Sequence, residues 1–183
     1  MTTLLKPAAF ILLACLQLAV PASRIVTKEL VLRQGTVHRF LAAPVDPADP
    51  FRGRYVALRL AENEAPWSGS EDVSNGQTVY ATIGMGTNGF ACFTAASLTP
   101  PATGDYIKAH VRYAYSDKIS LTLPFDRYYM RETLAPEAEK AYRSSLRDRA
   151  RPTYITVRVK SGTAVLEELY IDGEPVHEYL KKH

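Results

Sequence analysis

The stretch Pro44-Val45-Asp46-Pro47-Ala48-Asp49-Pro50-Phe51-Arg52-Gly53-Arg54-Tyr55-Val56-Ala57-Leu58-Arg59-Leu60 runs a proline- and aspartate-rich turn straight into an alternating segment. Pro47 and Pro50 each fix φ and remove a backbone donor, so neither suits a central strand. Asp46 and Asp49 precede prolines and are pushed toward extended or turn geometry, where their carboxylates accept nearby N–H groups. Gly53 permits positive φ or close backbone approach. After it, Tyr55, Ala57 and Arg59 alternate with Val56, Leu58 and Leu60, the period of a strand with one buried face. Arg52, Arg54 and Arg59 fall on or near the exposed side. The stretch therefore reads as a corner that begins a strand. A binding site at the corner is the sharper alternative, with Asp46, Asp49, Arg52, Gly53, Tyr55 and Leu58 as its residues.

On the N-terminal side, Lys28 to Leu32 and Thr36 to Ala42 read as two strands joined by Gln34-Gly35, a hairpin leading into the corner. On the C-terminal side, Ala65 to Asn75 is polar and reads as a loop holding Trp67, the chain's single tryptophan. Thr78 to Ile83 and Phe90 to Ala95 flank Asn88-Gly89, a hairpin turn. Tyr106 to Tyr115 alternates, with Tyr106, Lys108, His110 and Arg112 on one face. Ile119 to Leu123 is a further strand. From Leu134 to Arg149 the period becomes helical, with Pro136 and Glu137 early, Arg147 late, and a stripe of Ala138, Ala141, Tyr142, Ser145 and Leu146. Thr153 to Val159, a Ser161-Gly162 turn, Ala164 to Ile171 and an Asp172-Gly173 turn complete the pattern. The fold class expected is mainly β (α+β): one antiparallel sheet domain over 24–183 with one helix near 134–149, preceded by an N-terminal anchor over 1–23.

Several blocks together carry a family resemblance. They are the apolar N-terminus, Lys28 to Leu32, the Asp-Pro turn with the Gly53 to Leu60 segment, Gly76 to Tyr80, Gly104 to Tyr113, Leu123-Pro124-Phe125-Asp126-Arg127-Tyr128-Tyr129, and Leu169 to Gly173, in the expected order. The chain resembles the GDYXXLXY family of bacterial membrane-associated proteins. Gly53, Tyr55 and Leu58 match its signature, while Arg54 stands at the acid position and Leu60 at the final tyrosine. The resemblance implies a retained membrane anchor and a neighbouring polytopic membrane protein as partner.

Composition sets the outer bounds. The 183 residues suffice for one domain with a real core, and apolar and charged contents are ordinary. A net charge of +3 without a concentrated basic stripe gives no reason to expect nucleic-acid binding. Pro7 to Ala22 is uncharged, with Lys6 before it and Arg24 and Lys28 after it. It reads as a membrane-anchoring helix at the short end of spanning length. A cleaved signal peptide, with Val20-Pro21-Ala22 near the cut, is one alternative. A lipoprotein box at Leu12-Leu13-Ala14-Cys15 is the other. The adopted expectation is a single pass in the cytoplasmic membrane, with the main domain facing the periplasm or exterior.

Chemistry is sparse. His38, His110, His177 and His183 are scattered, and the two cysteines, Cys15 and Cys92, have no metal-like spacing, so neither metal nor cofactor is expected. No nucleophile-elbow or phosphate-loop motif occurs. Asp126, Arg127 and Tyr128 form the other candidate, a charge pair among aromatics suited to recognition or to a packed strand end. The Tyr106-Ile107-Lys108 segment is similar to the lysine strand of signal-peptidase-type sheets. The position of their serine is Val45 here, which disfavours an envelope hydrolase. A polar cleft with Lys108, His110 and Arg112 convergent would favour an enzyme. A shallow face rimmed by Tyr128, Tyr129 and Trp67 would favour binding. The expectation is a membrane-anchored accessory protein that binds another envelope protein.

Overall fold

The computed structural model describes residues 2–43, 55–67, 69, 72–115, 117–148 and 152–182. The chain opens in a long helix, α1 (Thr2–Gln34). The alternation of Lys28 to Leu32 predicts a strand, but the structure makes it the last turns of α1, and the predicted first hairpin does not form. Helical spacing brings Glu29 and Arg33 into an ion pair at 2.7 Å, and it buries Val31 against the sheet. Gly35 ends the helix rather than turning a hairpin. Its N–H donates to the Val31 carbonyl at 2.8 Å, and a Cβ there would lie 2.5 Å from that same oxygen.

Strands then follow in order: β1 (Thr36–Ala43), β2 (Tyr55–Ala57), β3 (Arg59–Leu60), β4 (Glu64–Pro66), β5 (Thr78–Met85), β6 (Ala91–Ser97), β7 (Tyr106–Ala114), β8 (Lys118–Thr122) and β9 (Arg127–Tyr129). Helix α2 (Ala135–Asp148), strands β10 (Tyr154–Lys160), β11 (Thr163–Ile171) and β12 (Glu174–Pro175), and helix α3 (Val176–Lys182) close the chain. One antiparallel sheet has the order β12-β11-β10-β1-β3 and a second the order β4-β8-β7-β5-β6; β2 and β9 form a separate ribbon. The mainly β, α+β class is as the sequence predicts, with three helices among the described residues. Among those residues no helix is long and apolar enough to cross a membrane. The candidates Asp46, Asp49, Arg52 and Gly53 lie outside the described residues, as does Val45.

Alternation predicts the buried faces well. Val56, Leu58 and Leu60 are buried, with Tyr55, Ala57 and Arg59 less so. The single strand expected over these residues is divided at Leu58, however, because its two halves find different partners. β2 pairs with β9, whereas β3 pairs with β1. The core lies between the two large sheets, where Phe40 of β1 stacks on Phe93 of β6 with ring centroids 5.5 Å apart. The sheets are also joined by a hydrogen bond between His38 and Asp105 at 2.9 Å. The Ser161-Gly162 and Asp172-Gly173 turns form as predicted, all four residues having positive φ as tight hairpin turns require. Ala138, Tyr142 and Ser145 face inward from α2 as the stripe predicts. Glu64–Pro66 is an edge strand where a loop is expected to begin. The seven-residue α3 escapes prediction because so short an apolar pattern has no readable period.

Candidate functional site

Two segments that carried the resemblance meet in space. Tyr55 pairs with Tyr129, Val56 with Tyr128 and Ala57 with Arg127, and the Leu58 N–H donates to the Asp126 carbonyl at 2.8 Å. Tyr55, Leu58, Asp126, Arg127 and Tyr128 are thus one structural unit. Within it the Arg127 guanidinium lies over the Tyr55 ring, 4.9 Å from its centroid, and the Tyr55 and Tyr129 rings are 5.7 Å apart. Arg127 also pairs with Asp126 at 3.5 Å. A hydrogen bond with Tyr129, and then the Asp126 charge, hold the Arg127 guanidinium even more firmly protonated than usual.

Leu58 and Tyr128 turn the other way. Leu58 is buried in the core. The Tyr128 hydroxyl donates to the Glu168 carboxylate of β11 at 2.5 Å. Burial first, and that hydrogen bond second, raise the Tyr128 pKa well above the ordinary tyrosine value. This bond ties the ribbon to the first sheet. Tyr128→Phe is expected to cost about 1.5–3 kcal/mol, the worth of a hydrogen bond to a charged group. The check is the shift in the urea unfolding midpoint.

In front of this unit lies a cleft of ≈ 680 Å³. Its walls come from four places. Helix α1 contributes Arg24 and Lys28, and β7 contributes Lys108 and His110. The 124–129 segment contributes Asp126, Arg127 and Tyr129, and the β10–β11 turn with the start of β11 contributes residues 162 to 166. The floor is set by a close approach of the two sheets. The Lys108 N–H donates to the Gly162 carbonyl at 2.9 Å, in the segment of β7 that precedes its pairing with β8. Only glycine allows this, since its φ is +79° and a Cβ would sit 2.6 Å from the Tyr106 ring. His110 sits against Gly76 and Thr78: its Nδ1 lies 3.2 Å from the Gly76 carbonyl oxygen and 3.5 Å from the Thr78 hydroxyl.

Among the described residues, four cations and one carboxylate, Asp126, thus face one cleft. Lys108 and His110 converge there, but Arg112 does not. It lines a second cleft of ≈ 410 Å³ with Leu58, Leu121 and Phe125. Trp67 forms a bridge to Ala96 of the second sheet and does not line this cleft, whereas Tyr129 does. Among the described residues neither cleft is lined by a serine or cysteine. Burial, with a smaller contribution from Glu62, raises the Cys92 thiol away from the reactive thiolate. Among the described residues no cluster of three potential metal ligands occurs.

Sequence reasoning missed Arg24 and Lys28 as site residues. It read them as flanking charges and placed Lys28 in a strand. Their i, i+4 spacing, which puts two side chains on one helical face, was the available signal.

No curated protein and no solved structure matches the chain. One family model, described as GDYXXLXY protein, matches residues 17–169. That span takes in the second half of α1, the β2–β9 unit and every element that lines the cleft. The chain belongs to the GDYXXLXY family.

Proposed function

We propose that the protein is a membrane-anchored accessory protein of the cell envelope. The first part of α1 sits in the cytoplasmic membrane, the β-rich domain faces the periplasm or exterior, and a polytopic membrane protein is its partner. One observation carries this reading: between Phe10 and Val26 the described large apolar side chains of α1 are uncovered. Phe10, Leu16, Leu18 and Ile25 are 66–72% exposed, and Leu13, Val20 and Val26 are also exposed. Among the described residues of α1, Val31 is the first apolar side chain to be buried. A contiguous exposed apolar surface of this kind marks a contact with membrane or protein, and apolar residues on all sides of a helix suit lipid. The charge-free run from Pro7 to Ser23 is about 25 Å long as a helix, at the short end for a hydrocarbon core of about 30 Å. A binding role is favoured over hydrolysis because the described lining of the larger cleft is rich in cations and holds neither serine nor cysteine.

The test is alkaline carbonate extraction of membranes from cells making the full-length chain. The protein is expected to stay in the pellet, and Leu16→Arg with Val20→Arg is expected to release most of it. Recovery of the unaltered protein in the aqueous extract sinks the reading. Crosslinking from membranes is expected to capture a polytopic partner.

A further inference from the structure

We propose that the cleft between α1 and the two sheets binds a phosphate-bearing anion, held by Arg24, Lys28, Lys108 and Arg127. Among the described residues the lining holds four cations and one carboxylate, a local excess of positive charge. The cleft cations are not neutralised in pairs, apart from the 3.5 Å contact of Arg127 with Asp126. Among the described residues no carboxylate lies in salt-bridge reach of Arg24, Lys28 or Lys108. Like charges facing one cleft repel, and a bound anion removes that cost.

The donors are also placed for one ligand. Arg24 and Lys28 share a face of α1, one turn apart. Lys108 rises from β7, fixed by the Gly162 contact beneath it. The Tyr55 ring under Arg127 holds the guanidinium plane, which preserves its planar donor array for an oxyanion. The volume is in the range of small-ligand sites, about 300–1,000 Å³. A phosphate monoester, with a charge of about −1.5 to −2 at pH 7, offsets the excess better than a single carboxylate does.

Two sources supply that chemistry: a lipid headgroup or a soluble phosphate ester. The headgroup source rests on the anchoring proposed above, because Arg24 directly follows the charge-free run and would then lie at the membrane interface. The phosphate chemistry itself does not depend on anchoring.

The test uses the full-length protein in neutral detergent micelles. It is titrated with glycerol phosphate in one arm. In the other it meets micelles doped with phosphatidic acid or with phosphatidylcholine, whose phosphate is offset by its own ammonium. Binding of glycerol phosphate, of phosphatidic acid or of both is expected, with phosphatidylcholine weaker. Lys108→Gln is expected to weaken binding about fivefold, and Lys108→Gln with Arg127→Gln about 25-fold. Arg24→Gln, on a different element, is expected to match the single variant. Arg143→Gln on α2 is the control and is expected to change nothing. Phosphatidic acid alone identifies a headgroup site, and glycerol phosphate binding identifies a site for soluble esters too. Absence of binding to both probes overturns the proposal, as does an equal loss in the Arg143 control or unchanged binding in the double variant. Protein found in aqueous extracts that still binds glycerol phosphate through Lys108 and Arg127 refutes anchoring and leaves the cleft standing. Protein that stays in membranes yet binds neither probe refutes the cleft alone.

Discussion

Replacing Tyr142 with alanine is expected to remove about 3–5 kcal/mol of folding stability, the usual cost of deleting a large buried aromatic side chain. Tyr142 is among the largest fully buried side chains, only 1% exposed. It docks α2 onto the junction where β1 passes from β10 to β3. Its hydroxyl donates to the Ala43 carbonyl at 2.8 Å. Ala43 is the register partner of Arg59, so the hydroxyl ties the helix to the point where β1 meets β3. Tyr142→Phe keeps the ring but leaves the Ala43 carbonyl without this donor, at about 1–3 kcal/mol. The urea midpoints of the two variants separate packing from hydrogen bonding. An alanine variant within about 1 kcal/mol of the native protein would contradict the docking described.

The same tyrosine gives a pH signature. Burial pushes its pKa up to about 12, with the Arg59 hydrogen bond lowering it slightly. In the unfolded chain it titrates near 10. Its contribution is therefore fully present below about pH 10 and is lost as pH rises toward 12, because only the unfolded state releases the proton readily. Stability of the native protein relative to Tyr142→Phe is expected to fall across that window, read as converging unfolding midpoints.

Gly162→Val is the second severe change, expected to cost about 2–5 kcal/mol. Left-handed backbone costs a non-glycine residue about 1–2 kcal/mol, and forcing carbon into filled space adds about 1–3 kcal/mol. Both apply, since φ is +79° and the new Cβ would meet the Tyr106 ring at 2.6 Å. Gly173 is the internal control. It has φ +84° with nothing within 4 Å of a built Cβ. Gly173→Ala is expected to cost only the backbone share, about 1–2 kcal/mol. Equal losses at the two sites, measured by denaturant midpoints, would show that the close approach to Tyr106 carries no weight. The valine variant also displaces the turn that supports Lys108, so phosphate binding is expected to weaken with it.

Residues with strong local preferences were legible in advance. Asn88-Gly89, Ser161-Gly162 and Asp172-Gly173 announce turns because few residues tolerate positive φ. The stripe of α2 and the buried alternation of Val56, Leu58 and Leu60 follow from the burial periods of helix and strand. The end of α1 was not legible, since Lys28 to Leu32 fits either period over so few residues. The glycine after Gln34 serves a helix end as readily as a hairpin.

From the sequence alone came the mainly β class, the helix near 134–149, the hairpin turns and the membership of Asp126, Arg127 and Tyr128 in a special block. These are local properties, set by steric preference and by which face of an element must leave water. Only the tertiary structure decided that Tyr55 pairs with Tyr129, that Gly162 underlies Lys108, and that Arg24 and Lys28 face Arg127 across one cleft. Periodicity says that a face is buried but not what buries it. The choice of partner depends on contacts between segments distant in the chain, whose energies no short window of residues contains.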